Sequence, residues 1–229
     1  MGDGRSGGSR VWAWTGLGAQ VAFVLGWLVA AAWQPPGYSV VRHSISDMYA
    51  VTAPHAWFLV ALLTSCGAAT VGLAWFAVRP ALAPAGRRAT VGSVLLAVSI
   101  FGLGDLLSPL EQEACQRADP ACSPADQLAN LGGTLDGLLS TIGLVALVPA
   151  GFLLASAMRR LPVWSRCAAP TRVLTVAFVV AFLATGLLGG LGGLLERLLA
   201  AVGAAGIALL AWAVLVRSSP ARSGAGGRD

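Results

Sequence analysis

Six apolar runs of about twenty residues, parted by short polar stretches that hold nearly every charge, leave this chain one kind of solvent. The runs read 11–33, 55–78, 89–108, 131–156, 172–190 and 197–216. Each is close to the ~20 residues that carry a helix across a bilayer core. Only 11% of the residues are charged, against about 25% in a soluble domain, so a water-facing surface cannot be built from them. The expected fold is all-α: an integral membrane bundle of six transmembrane helices over residues 11–216. A polar arm, 1–10, precedes it, and a disordered Arg/Gly/Ser tail, 217–229, follows. The first run has 23 residues, more than the ~7–15 of a signal-peptide core, and so reads as an uncleaved anchor.

Charge placement threads the bundle. The chain has fifteen basic residues, all arginine. Arg5, Arg10, Arg79, Arg87, Arg88, Arg159, Arg160, Arg166, Arg172, Arg217, Arg222 and Arg228 fall on one side, and only Arg42, Arg117 and Arg197 on the other. The positive-inside rule then puts both termini in the cytoplasm. An arginine bias without lysine suggests a GC-rich bacterial genome, hence a bacterial plasma membrane. Trp12, Trp14, Trp75 and Trp212 mark inner helix ends, with Trp33 and Trp57 at outer ones. The net charge of +5 does not point to nucleic acid, because the arginines flank apolar runs rather than forming a patch. The absence of lysine excludes a retinal Schiff base.

Cys115 and Cys122 fall in the outer loop 109–130. An oxidising exterior favours a disulfide between them, the alternative being two free thiols. The first outer loop runs from Gln34 to His55, and Pro35-Pro36-Gly37 ends the first helix. Ser46 or Asp47 is placed to cap a short helix there. The stretch Pro36-Gly-Tyr-Ser, then Ser44-Ile-Ser-Asp, then Pro54 entering an apolar helix, resembles the bacterial membrane family of unknown function DUF998. Six spans with long outer loops after the first and third fit the same resemblance. That family often has a histidine at the start of the fourth helix; here Ala129-Asn-Leu-Gly-Gly-Thr-Leu-Asp136 has none. The resemblance implies fold and topology and no activity.

Three acids lie in or beside the spans: Asp105, Asp136 and Glu196, all toward the outer half. A charge at the bilayer centre costs at least about 2.5–3.5 kcal/mol, so such groups usually face a cavity or a partner. The bland alternatives are solvated interfacial carboxylates and, for Glu196 and Arg197, an ordinary ion pair. Asp47, Arg42, His43 and His55 come from the loop above. His43, Asp47 and His55 invite a metal reading, the first two at helical spacing, but no second histidine pair or Cys–His cluster supports it. A Ser44 or Ser46 nucleophile lacks a base that faces it. No cofactor motif is present, and no metal or cofactor is expected.

Two functions remain. One is a membrane enzyme using carboxylate acid/base chemistry on a lipid or isoprenoid. Proton-initiated terpene cyclisation is one such reaction, and the chain resembles the small membrane-bound terpene cyclases in size and in having acids near helix ends. Asp105 and Asp136 would be acid and base, and Asp47 and Glu196 orienting or substitute acids. Trp33, Tyr38, Tyr49 and Trp57 would bind substrate by their ring faces, with Arg42, His43 and His55 on its polar part. The other is a non-enzymatic lipid-binding, transport or accessory protein. Transporters commonly carry internal repeats and broken helices, and the sequence shows neither clearly.

Overall fold

The computed structural model describes residues 3–217, and within them every regular element is helical. The long helices are α1 (Asp3–Ala30), α2 (Ala56–Gly72), α3 (Arg87–Ala97), α4 (Leu131–Arg159), α5 (Ser165–Leu187) and α6 (Gly192–Arg217). Short helical turns join and extend them. Among the described residues five stretches are long and apolar enough to cross a membrane: Gly7–Trp33, Ala56–Ala85, Leu131–Arg159, Pro162–Leu187 and Gly192–Arg217. The expected arm at 1–10 is helical from Asp3 onward, while the expected tail beyond Arg217 lies outside the described residues.

The third run departs from expectation. α3 stops at Ala97, Ser99 is extended (φ −67°, ψ 171°), and a wider π-type turn follows over Ile100–Gly104. The break survives in apolar surroundings because its polar groups are satisfied. The Ser99 carbonyl accepts the Gly102 and Gly104 N–H groups at 3.0 and 3.3 Å, and its hydroxyl donates to the Leu96 carbonyl at 2.8 Å. Gly102 is required here: a Cβ would collide with the Ala97 carbonyl oxygen. The sequence reading of unbroken helices is therefore corrected. No proline marks the break, and the apolar pattern runs straight through it.

Other boundaries follow local chemistry. α4 opens on an N-cap, the Asn130 side chain accepting the Gly133 N–H at 2.7 Å. Ser123 and Asp126 form a capping box for the one-turn helix Pro124–Gln127. α2 is entered through His55 in the left-handed region, φ 53°. α5 starts before Pro170 rather than after it.

Consecutive helices are neighbours, and the sequence of contacts closes. α1 packs on α2 and α6, α6 on α5, α5 on α4, α4 on α3, and the Ile100–Gly104 turn on α2. The result is a ring of six. One end carries the loops 34–55 and 109–130, and the other carries most of the arginines. Below the middle the ring is filled by side chains such as Leu73, Leu96, Leu154, Met158 and Ile207. Toward the loop end it is not filled.

Candidate functional site: a polar cavity at the loop end

A cavity of about 460 Å³ opens among the six segments at the loop end. That lies within the ~300–1,000 Å³ range of small-molecule sites. Its deeper wall is apolar, built from Phe23, Leu63, Phe101, Leu144, Phe178 and Phe182. Its upper wall holds Asp105, Asp136 and Glu196, from three different segments. Its rim is Arg42, His43, Ser44 and Ser46 from the first loop, and Arg117 and Gln127 from the second. The broken segment explains part of this: the turn after Ser99 sets both Phe101 and Asp105 on the cavity.

The first loop is held over the cavity by α6. Arg197 is buried, and its Nη1 donates to the carbonyls of Val40, His43 and Gly193 at 2.9, 2.8 and 2.9 Å. Its Nη2 donates to the Tyr38 hydroxyl. Glu196 faces the other way and accepts the Ile45 N–H at 3.0 Å. The two neighbours thus form no ion pair within the described residues, contrary to the bland sequence alternative; each fastens a different stretch of the loop. Gly193 permits this, since a Cβ there would strike the His43 backbone. Burial pushes the Tyr38 phenol up to about 12, against the opposing pull of Arg197.

The second loop closes the other side. The Cys115–Cys122 disulfide is formed, with Cα atoms 6.0 Å apart. Between these cysteines, the Arg117 N–H donates to Asp47 Oδ1, and Asp47 is fully buried. Gln127 Nε2 donates to Asp47 Oδ1 at 3.5 Å and to Glu113 Oε2. Ser46 donates to Glu113 Oε1 at 3.4 Å, and Tyr49 donates to Asp136 Oδ1 at 3.1 Å. The short helix Ser46–Tyr49 is therefore not capped by Ser46 or Asp47. The Ser44 hydroxyl accepts the Asp47 N–H at 3.1 Å instead.

Burial sets the protonation of this loop. It pushes Glu111 up to about 8, helped by the charge of Asp136. Glu113 also rises to about 8, again mainly by burial, then by Asp136 and Asp47. Burial raises Asp47 above the usual carboxylate range despite the Arg117 N–H. Tyr49 is raised well above its ordinary value by burial and by the acids around it. His43 is lowered by burial, an effect that outweighs the pull of Asp47. Its Nδ1 accepts the Ser39 N–H at 3.2 Å, so the proton of a neutral ring sits on Nε2.

The structure brings together Asp105, Asp136, Glu196, Arg42, His43 and Tyr49 on the cavity. Asp47 stands behind the rim. Tyr38 lies beneath the first loop, its ring against His43 at 5.3 Å. Trp33 packs edge-on against His55 and Phe58 at 5.9 and 5.2 Å, away from the cavity, and Trp57 is 69% exposed. Sequence reasoning passed over Phe101, Phe178 and Phe182, because a phenylalanine inside an apolar run carries no mark of which way it faces. It also passed over Glu111, Glu113 and Gln127, which read as ordinary loop polarity. Arg197 was visible, but only as a partner for Glu196.

No curated protein and no solved structure matches this chain. The family model described as "Protein of unknown function (DUF998)" matches residues 17–213, from within α1 to within α6. The chain belongs to the DUF998 family of proteins of unknown function.

Proposed function

We propose that this protein is a membrane enzyme that binds a lipid or isoprenoid chain in the loop-end cavity and rearranges it by carboxylate acid/base chemistry. In this reading all six segments cross the membrane, both termini are cytoplasmic and the cavity opens to the outside. The observation that carries it is the placement of three carboxyl groups above a deeper cavity wall of phenylalanine and leucine. Asp136 accepts a hydrogen bond from Tyr49 and suits the base. Among the described residues no hydrogen bond reaches the Asp105 carboxyl, which suits the acid. Asp105 gives its proton to one carbon of a substrate double bond, leaving a carbocation. The faces of Phe101, Phe178 and Phe182 steady that charge. Asp136 takes a proton from a neighbouring carbon, whose C–H electrons form the new double bond. The net change is a double-bond isomerisation, or a cyclisation where a second double bond of the substrate first attacks the carbocation to form the ring C–C bond, with no oxidant or reductant.

The broken segment at Ser99 favours a second reading, in which the same cavity binds or passes its ligand unchanged, as discontinuous helices do in transporters. Product analysis separates the two. Membranes expressing the protein, Asp105→Asn or Asp136→Asn would be supplied with isoprenoid and unsaturated lipid substrates. Turnover by the parent and its loss in both variants supports the enzyme. Full turnover in both folded variants overturns the acid/base reading, and binding without turnover supports the second.

A further inference from the structure

The deep part of the cavity explains an apolar chain and the acids explain a reaction, but neither uses the rim. Arg42 and Arg117 both line the mouth and both are exposed. Among the described residues neither guanidinium has a hydrogen bond or a carboxylate in ion-pairing reach; the carboxylate of Asp47 lies instead 3.8 Å from His43 Nδ1. They come from different loops and are assembled by that same Asp47. Its Oδ1 accepts the backbone N–H of Arg117, and its Oδ2 lies beside His43, the neighbour of Arg42 in sequence. His43 adds a third donor. Its Nδ1 is occupied by Ser39, so Nε2–H is left for the mouth it lines.

Two unpaired guanidinium forks and an imidazole N–H above an apolar pocket match one ligand chemistry. We propose that the mouth binds a phosphate headgroup, so that the substrate is an anionic amphiphile with a single apolar chain reaching toward Phe101 and Phe178. Guanidinium forks bind phosphate oxygens two at a time, with charge-assisted hydrogen bonds roughly twice as strong as neutral ones. Such a head also fixes which end of the chain enters, and so which bond lies beside Asp105 and Asp136. The carboxyls set the opposite preference, for a cationic head, and the test includes it.

This inference rests on the reading that the cavity takes an apolar chain, and the experiment keeps the two apart. The full-length protein in phosphatidylcholine nanodiscs would be titrated with radiolabelled dodecyl phosphate. Dodecanol, inorganic phosphate and dodecyltrimethylammonium would serve as competitors. The expected result is saturable dodecyl phosphate binding, with dodecanol and inorganic phosphate each at least tenfold weaker. Arg42→Gln with Arg117→Gln lowers dodecyl phosphate affinity at least tenfold and leaves dodecanol binding as it was. The double variant keeps the fold, because the contact Arg117 makes to Asp47 is through its backbone. Equal competition by dodecanol, or unchanged affinity in the double variant, overturns the headgroup site and leaves the chain-binding reading intact. Stronger competition by the ammonium probe assigns a cationic head and overturns it too. Inorganic phosphate competing as well as dodecyl phosphate makes the site one for free phosphate, which overturns the amphiphile. No binding by any alkyl probe overturns the cavity reading together with this one.

Discussion

The Tyr49 hydroxyl reaches across 87 positions of sequence to donate to Asp136 Oδ1 at 3.1 Å, tying the first loop to the upper turns of α4. Both residues are buried, so the bond is shielded from competing water. Tyr49→Phe removes the donor and keeps the ring. The expected loss is about 1.5–3 kcal/mol, the usual range for a hydrogen bond to a charged group. Unfolding in detergent measures it, and the single change Asp136→Asn should cost less when Phe already stands at 49.

Arg197 fastens the first loop through the carbonyls of Val40 and His43 and the Tyr38 phenol. Arg197→Met leaves those acceptors buried without a donor, at an expected cost of at least about 2–4 kcal/mol. Arg197→Lys keeps the charge but not the fork, and should recover only part of the loss. Proteolysis within 34–55 should quicken in both, more in the methionine variant.

Reduction of Cys115–Cys122 releases the loop that holds Arg117 against Asp47. A closed loop of this size is worth about 2–3 kcal/mol in the chain-entropy account. Cys115→Ser with Cys122→Ser should lower the unfolding midpoint accordingly, and added reductant should change the parent but not the double variant.

The raised Glu111 and Glu113 predict a pH slope. Both have folded values near 8 against an ordinary 4.5. Between those values the unfolded chain has lost the proton that the folded protein still holds. Their contribution is therefore greatest below about pH 4.5, declines as pH rises to about 8, and is flat above. Glu111→Gln and Glu113→Gln should each reduce the decline in thermal midpoint between pH 5 and 8. Parallel curves for parent and variants would show that neither carboxyl holds its proton.

Topology is open to labelling. With both termini cytoplasmic, a membrane-impermeant thiol reagent should reach Ala125→Cys from outside and Ala83→Cys only after lysis. Both alanines are exposed, and the free Cys66 and Cys167 are buried. Reversed access would turn the cavity to face the cytoplasm.

Much of this was legible because bilayer physics is written in composition. Apolar length marked the helices, and Pro35-Pro36 ended the first. The cost of an intramembrane carboxyl singled out Asp105, Asp136 and Glu196, which the ring then places on one cavity. The break at Ser99 was hidden, since serine and glycine are ordinary in membrane helices and the hydrogen bonds that permit the break are visible only in three dimensions. Arg197 was misjudged for a related reason. Its nearest carboxylate in sequence points elsewhere, and its partners are backbone carbonyls, which every residue has. The phenylalanines of the cavity wall could not be told from those facing lipid, because both sides of such a helix are apolar.

The contact between α1 and α6 has a consequence for biogenesis. Helical hairpins inserted in order from α1 can pair with the neighbour just made, but the ring stays open until α6 arrives. That helix brings Glu196 and Arg197, the two groups that seat residues 38–45. Until then the carbonyls of Val40 and His43 have only water to accept from, and the pocket has no lid. A ligand present during synthesis would meet a bowl open at one seam, and would be enclosed only when α6 joins the ring.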